Sequence, residues 1–281
     1  MTVGIFMTVL FAALLHAGWN ALVKGGAEKG AAMIAVSIGQ GIAGLLVLPF
    51  VSWPTAEAMV YLPYSIALHV GYQSFLIAAY RMGDFTQVYP IARGVAPLLV
   101  TGVSIALLGA SFSSVQLMAI GLIAVGIMSI SLVRNGEGTF QWQGAVLALI
   151  TGAFIAGYSV VDGLGARAGG TAVGYFGLQA AINGVIFTVL SLMVRPASVR
   201  SALRLPTHLV LGGGASFVAY ALVVYAFMFA PIAMVTALRE TSIIFALIIG
   251  SVVFHERVNF RKVAAAMSTI CGVIVLRVYR G

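Results

Sequence analysis

Charged side chains are scarce. Lys, Arg, Asp and Glu make up 8% of the 281 residues, against about 25% in soluble domains, which excludes a water-soluble globular protein. Cys271 is the lone cysteine, so neither an intrachain disulfide framework nor a thiolate metal cluster can form. No cofactor and no metal is expected. No Walker pattern is present, which argues against ATP hydrolysis by this chain. A G-x-S-x-G elbow is missing, and His255-Glu256 is not followed by a second histidine at zinc spacing, so the common hydrolase signatures are absent. Strand-type alternation over about ten residues, the signature of an outer-membrane barrel, is also absent.

What the sequence has is apolar length. Hydrophobic residues make up 61% of the chain and mean hydropathy is +1.09. Runs long enough to cross roughly 30 Å of hydrocarbon as helix recur at 3–23, 31–51, 62–80, 86–108, 115–133, 144–162, 171–194, 208–229, 232–254 and 260–278. The first has no basic n-region and reads as a retained helix rather than a secretory signal. The expected fold is an all-α integral membrane protein with ten transmembrane helices.

The net charge of +8 sits at helix ends and not on one soluble module, so no nucleic-acid partner is expected. Loops on the side of the N-terminus carry Arg167, Arg277 and Arg280. The opposite side carries Lys24, Lys29, Arg81, Arg134, Arg195, Arg200, Arg204, Arg257, Arg261 and Lys262. By the positive-inside rule both termini face outward.

The chain divides into two related halves, 1–135 and 136–281. Ala17-Gly18-Trp19-Asn20 lies over Ala156-Gly157-Tyr158-Ser159, each late in the first helix of a five-helix half. Aligning Arg93 with Arg239 brings Gly126 onto Gly272 and the loop 109–114 onto 255–260. An odd number of helices per half turns the second copy upside down in the membrane, and matching loops carry opposite charge bias, as that inversion requires. Inverted repeats belong to secondary transporters, which hold substrate near the midplane and rock one half against the other.

The segment AAYRMGDFTQVYPIARGVAP at 79–98 and the closing LIIGSVVFHERVNFRKVAAAMSTICGVIVL resemble the EamA family of the drug/metabolite transporter superfamily. Bacterial amino-acid and metabolite exporters of the aromatic amino-acid exporter type are the nearest pattern. The resemblance covers nearly the whole chain. Its fourth-helix motif maps onto Tyr89, Pro90 and Pro97, and its pair before the last helix maps onto His255 and Glu256, where the first half has Gly109 and Ala110. The resemblance implies a multi-pass carrier of a bacterial cytoplasmic membrane. It would export small organic metabolites, amino acids above all, by alternating access. A sugar-phosphate or nucleotide-sugar antiporter, an intramembrane enzyme and a non-transport membrane protein stay open as alternatives. The expected partners are a small-molecule substrate and the bilayer, with a monomer as the working unit.

Ionisable residues inside apolar spans are costly and mark functional sites by default. Arg93 and Arg239 could bind a substrate carboxylate in two-pronged fashion, or snorkel from near the helix start. Pro90 and Pro97 remove backbone donors, which suits a cavity wall carrying Tyr89, Arg93 and Pro97 at spacing four. His16, Trp19 and Asn20 share the polar aromatic face of the first helix, and Tyr158 answers them in the sixth. His69, Gln73 and Tyr80 line the third helix; Gln179 and Asn183 line the seventh. Amides suit a zwitterion, and equally serve as interhelical glue. Glu240 beside Arg239 is either a proton carrier or one partner of an interhelical ion pair. Pro90, Pro97, Arg239 and Glu240 are therefore the gating or coupling candidates. Asp162 closes the span 144–162, where water would solvate it.

Overall fold

The computed structural model describes residues 1–26, 28–131, 140–253, 255 and 260–278. Arg134, Glu256, Arg257, Arg280 and the side chain of Arg261 lie outside the described residues. The elements run α1 (Val3–Gly25), α2 (Lys29–Val47), α3 (Ala56–Met59), α4 (Leu62–Met82), α5 (Phe85–Ala106), α6 (Ser114–Ser131), α7 (Trp142–Gly169), α8 (Ala172–Val194), α9 (Pro196–Leu203), α10 (Gly213–Phe229), α11 (Ile232–Arg239), α12 (Ser242–Val253) and α13 (Phe260–Val278). Among the described residues every regular element is helical. This is the form available to a chain that must satisfy its backbone without water.

Among the described residues eight helical segments are long and apolar enough to cross a membrane. The helices over the other two expected spans, 62–80 and 260–278, are more polar: α4 carries His69, Gln73 and Arg81, and α13 carries Arg261, Lys262 and Arg277.

Close approach of helix pairs rests on glycine. A Cβ on Gly41 would stand 3.2 Å from the Ala180 carbonyl oxygen, and one on Gly184 3.5 Å from that of Ser37, so α2 and α8 pack backbone to backbone. At the α6–α13 contact, a Cβ on Gly126 would lie 3.0 Å from the Ala265 oxygen and one on Gly272 2.7 Å from the Ala119 oxygen. Small residues permit this spacing between membrane helices. Around these two pairs, α4 packs on α7 and α10 on α1, while α5 packs on α7 and α12 on α1.

Two expected boundaries are corrected. Helix α7 does not stop at Asp162. It runs on through Gly163–Gly169, a stretch without proline, and ends where Gly170 adopts φ 66°, the left-handed stop that glycine takes without penalty. Asp162 therefore lies inside the helix and is fully buried, where solvation by bulk water had been expected. Arg167 stands one turn later and donates from Nε to the Phe227 carbonyl (2.8 Å) and from a terminal nitrogen to that of Ala230 (2.9 Å), satisfying the open end of α10.

The expected continuous span 232–254 is interrupted between α11 and α12. Across the break the backbone tightens to three-residue bonds: Glu240 N to Ala237 O, Thr241 N to Leu238 O, and Ile243 N to Glu240 O, each 3.1 Å. Thr241 Oγ1 adds a bond to the Leu238 carbonyl at 2.9 Å. Hydroxyl side chains compete for helix carbonyls in this way. Helix α5, by contrast, continues through Pro90 and Pro97, with Thr101 Oγ1 bonded to the Pro97 carbonyl at 2.7 Å.

Candidate functional site

Four buried formal charges lie among the described residues: Arg93 and Arg239, Glu240 and Asp162. They form two connected clusters.

The first centres on Asp162. Helix α4 presents Ser65 and His69 four residues apart, and α7 presents Tyr158 and Asp162 at the same spacing, so the two helices meet in register. Asp162 accepts from Ser65 Oγ, from His69 Nε2 at 2.9 Å and from the Tyr220 hydroxyl of α10 at 2.7 Å. An ionised carboxylate can only accept, so with Asp162 ionised this contact needs a proton on His69 Nε2. The His69 ring stacks on Tyr158 at 4.2 Å and meets Tyr220 edge-on at 5.5 Å. Tyr72 closes the group against Tyr158 at 5.5 Å. The result is a buried carboxylate walled by aromatic faces, with three of its roughly four acceptor directions used.

The second cluster sits at the α11–α12 break. Arg93 Nε donates to Glu240 Oε2 at 2.8 Å, and its terminal nitrogen reaches Ser242 Oγ at 3.4 Å. The pair joins α5 to the interrupted helix. Neither arginine snorkels: Arg93 is 4% exposed and Arg239 1%. Arg239 Nε stands 3.7 Å from Glu240 Oε1, beyond hydrogen-bond length. Neither Nε nor one terminal nitrogen of Arg239 has a hydrogen-bond partner among the described residues. Its guanidinium lies 5.9 Å over the Tyr220 ring. Tyr220 thus touches both clusters, with its ring toward Arg239 and its hydroxyl on Asp162.

The remaining predicted site residues fall in several places. Tyr89 is buried with the Arg93 guanidinium 6.0 Å over its ring; with Asn20 and Pro90 it lines a cleft of ≈ 80 Å³. His16 is partly buried and meets Trp19 edge-on at 5.0 Å. Asn20 also bonds the His16 carbonyl at 2.7 Å. Trp19 turns away from this cleft, into a separate apolar cluster with Met33, Leu76 and Phe187. Gln73 donates to Ser37 at 3.1 Å and accepts from Asn183 at 3.4 Å, so these amides join α2, α4 and α8. Gln179 is buried in α8. Tyr80 lies at the basic end of α4, beside Arg81.

Sequence reasoning missed Ser65, Tyr220 and Ser242, and misplaced Asp162. Ser65-x-x-x-His69-x-x-x-Gln73 is a polar stripe at spacing four, and its first member carried the signal. Tyr220 stands in an unbroken apolar run with nothing local to distinguish it.

A bundle of long apolar helices enclosing paired charges, with one helix interrupted beside them, defines a multi-pass membrane protein with a polar site in its interior. Residues 142–278 match the model of the EamA-like transporter family, part of the drug/metabolite transporter superfamily. No curated protein matches it. A solved structure described only as "Crystal structure of protein" is similar over 98% of this chain and 96% of its own, with TM-score 0.78 and 17% identity. At that identity it shows a shared fold and nothing about substrate.

Proposed function

We propose that the chain is a secondary carrier for amino acids, aromatic and neutral ones included, and not an enzyme. Ten membrane-crossing helices form two inverted repeats, 1–135 and 136–281, that alternate access to a site between them. The observation that carries the substrate class is the buried Arg239 guanidinium, with hydrogen-bonding capacity to spare and Tyr220 linking it to Asp162. A free amino acid offers the matching pair of charges. Its carboxylate takes the guanidinium fork, and its ammonium takes the remaining face of Asp162 and the π faces of Tyr158 and Tyr220.

Reciprocal packing supports the inverted repeats. Exchanging the halves turns the α4–α7 contact into α10–α1, and α5–α7 into α12–α1, while α2–α8 and α6–α13 map onto themselves. The exchange also carries Gly126 on Ala265 to Gly272 on Ala119. The matched loop positions Gly109 and His255 share a left-handed backbone, φ 64° and 51°. For histidine that conformation is uncommon, so its recurrence at the equivalent place weighs more than a glycine alone. The charge bias of the loops supports outward termini in a bacterial inner membrane. Outward transport follows the family pattern, and the working unit in this reading is a monomer.

Proteoliposomes holding the purified chain are expected to take up labelled amino acids saturably. Amino-acid amides and carboxylic acids lacking the amine should compete at least about tenfold more weakly, since each forfeits one charge-assisted contact. Competition by sugar phosphates with none by amino acids would replace this reading with the antiporter alternative. That reading draws less support here, because one of the two buried cations is already paired with Glu240.

A further inference from the structure

Lys29 at the start of α2, Arg81 at the end of α4 and Arg195 after α8 line one pocket of ≈ 150 Å³. Glu28 is the one acid there, and it accepts from Ser198 Oγ at 2.9 Å, tying α9 to the head of α2. Among the described residues Arg81 and Arg195 thus share the recess, beside Lys29, with one acid that is already hydrogen-bonded. Burial, and then the neighbouring Arg81 charge, pull the Arg195 guanidinium below its ordinary pKa, as expected where two cations share a space.

The pocket does not end at the charges. Ile34, Ile77 and Arg195 also line an adjoining groove of ≈ 260 Å³ between α2, α4 and α8. Its outer wall includes Leu190 and Val194, which are 42% and 73% exposed on an apolar membrane-crossing helix. A cationic recess at the helix ends therefore opens onto an apolar channel running along the bundle.

We infer that this pocket and groove hold an anionic phospholipid, its phosphate between Lys29, Arg81 and Arg195 and an acyl chain along Ile34, Ile77 and Leu190. Charge complementarity selects the anionic head. A zwitterionic lipid brings its own cation up to Arg81 and Arg195, whereas a phosphodiester with a neutral substituent adds one negative charge and no positive one. The apolar groove selects a lipid over a free anion. Lys, Arg and anionic heads attract at the membrane surface, and here the cations are fixed by three different helices. The inference is independent of the amino-acid site, which lies in the bundle interior and shares none of these residues.

Native mass spectrometry of the full chain with added phosphatidylglycerol or phosphatidylcholine tests it. The wild type is expected to retain phosphatidylglycerol about tenfold more than Arg81→Gln/Arg195→Gln, and to retain little phosphatidylcholine in either form. Arg200→Gln, an exposed arginine on α9 outside the pocket, should behave as wild type. Leu190→Trp fills the groove and should weaken phosphatidylglycerol retention with every cation in place. Undiminished retention in both the double variant and Leu190→Trp would overturn the site. Displacement of the lipid by millimolar inorganic phosphate, with no effect of Leu190→Trp, would make it a free-anion site instead.

Discussion

Glu240→Gln is expected to destabilise the fold by about 3–5 kcal/mol, the usual consequence of leaving a buried charge without its counterion. Glu240 is the acid between Arg93 at 2.8 Å and Arg239 at 3.7 Å, and all three side chains are withdrawn from water. Its neutralisation leaves two cations facing each other across the α11–α12 break. Arg93→Gln should be milder, because Glu240 can turn to Arg239. Arg93→Gln/Glu240→Gln removes the close pair and leaves Arg239 as the one cation at the break, so it should recover part of the stability lost in Glu240→Gln alone. Thermal melting of the detergent-purified variants, followed by size-exclusion recovery, reads all three. Equal loss in Glu240→Gln and the double variant would show that the pair is not what holds α5 to the interrupted helix.

The second large effect falls on transport. Arg239→Gln is expected to reduce amino-acid uptake about a hundredfold, close to the roughly 3 kcal/mol upper end for a hydrogen bond to a charged group. The same variant should melt at or above the wild-type temperature. A guanidinium held in the interior with unmade hydrogen bonds is a stability penalty retained for function. Arg239→Lys keeps the charge but loses the planar fork, and should restore only part of the uptake. Rates of labelled uptake per folded protein check this. Wild-type uptake by Arg239→Gln would remove the carboxylate anchor from the account.

The two arginines show what could be read in advance. A repeat alignment made from Arg93, Gly126 and their partners depends on residue identity alone, and the proposed repeats draw on it together with the packing of α6 on α13 at those glycines. Whether an arginine snorkels or turns inward depends on what faces it from another helix, and no local pattern carries that. Asp162 was obscured by a length criterion. About 20 residues suffice to cross a membrane, so in a 28-residue helix an interior residue two turns before the end looks like the end. The break before Ser242 was legible in principle, since Arg239-Glu240-Thr241-Ser242 is the polar interruption of an otherwise apolar run. The amides illustrate the opposite case. Gln73 and Asn183 do converge, as their spacing suggested, but they converge on each other and on Ser37. Trp19 and Asn20, adjacent in sequence, point about 100° apart on a helix, and only Asn20 reaches the cleft beside Tyr89.

The central claim is that two inverted halves expose one amino-acid site alternately to either side of the membrane. Counterflow tests it most directly: proteoliposomes preloaded with an unlabelled amino acid are diluted into labelled amino acid, and the initial rate is compared with that of empty vesicles. The account predicts saturable uptake accelerated by the internal load, with transient accumulation of label and neither effect in Arg239→Gln. Flux that rises linearly with concentration and ignores the internal load would contradict it.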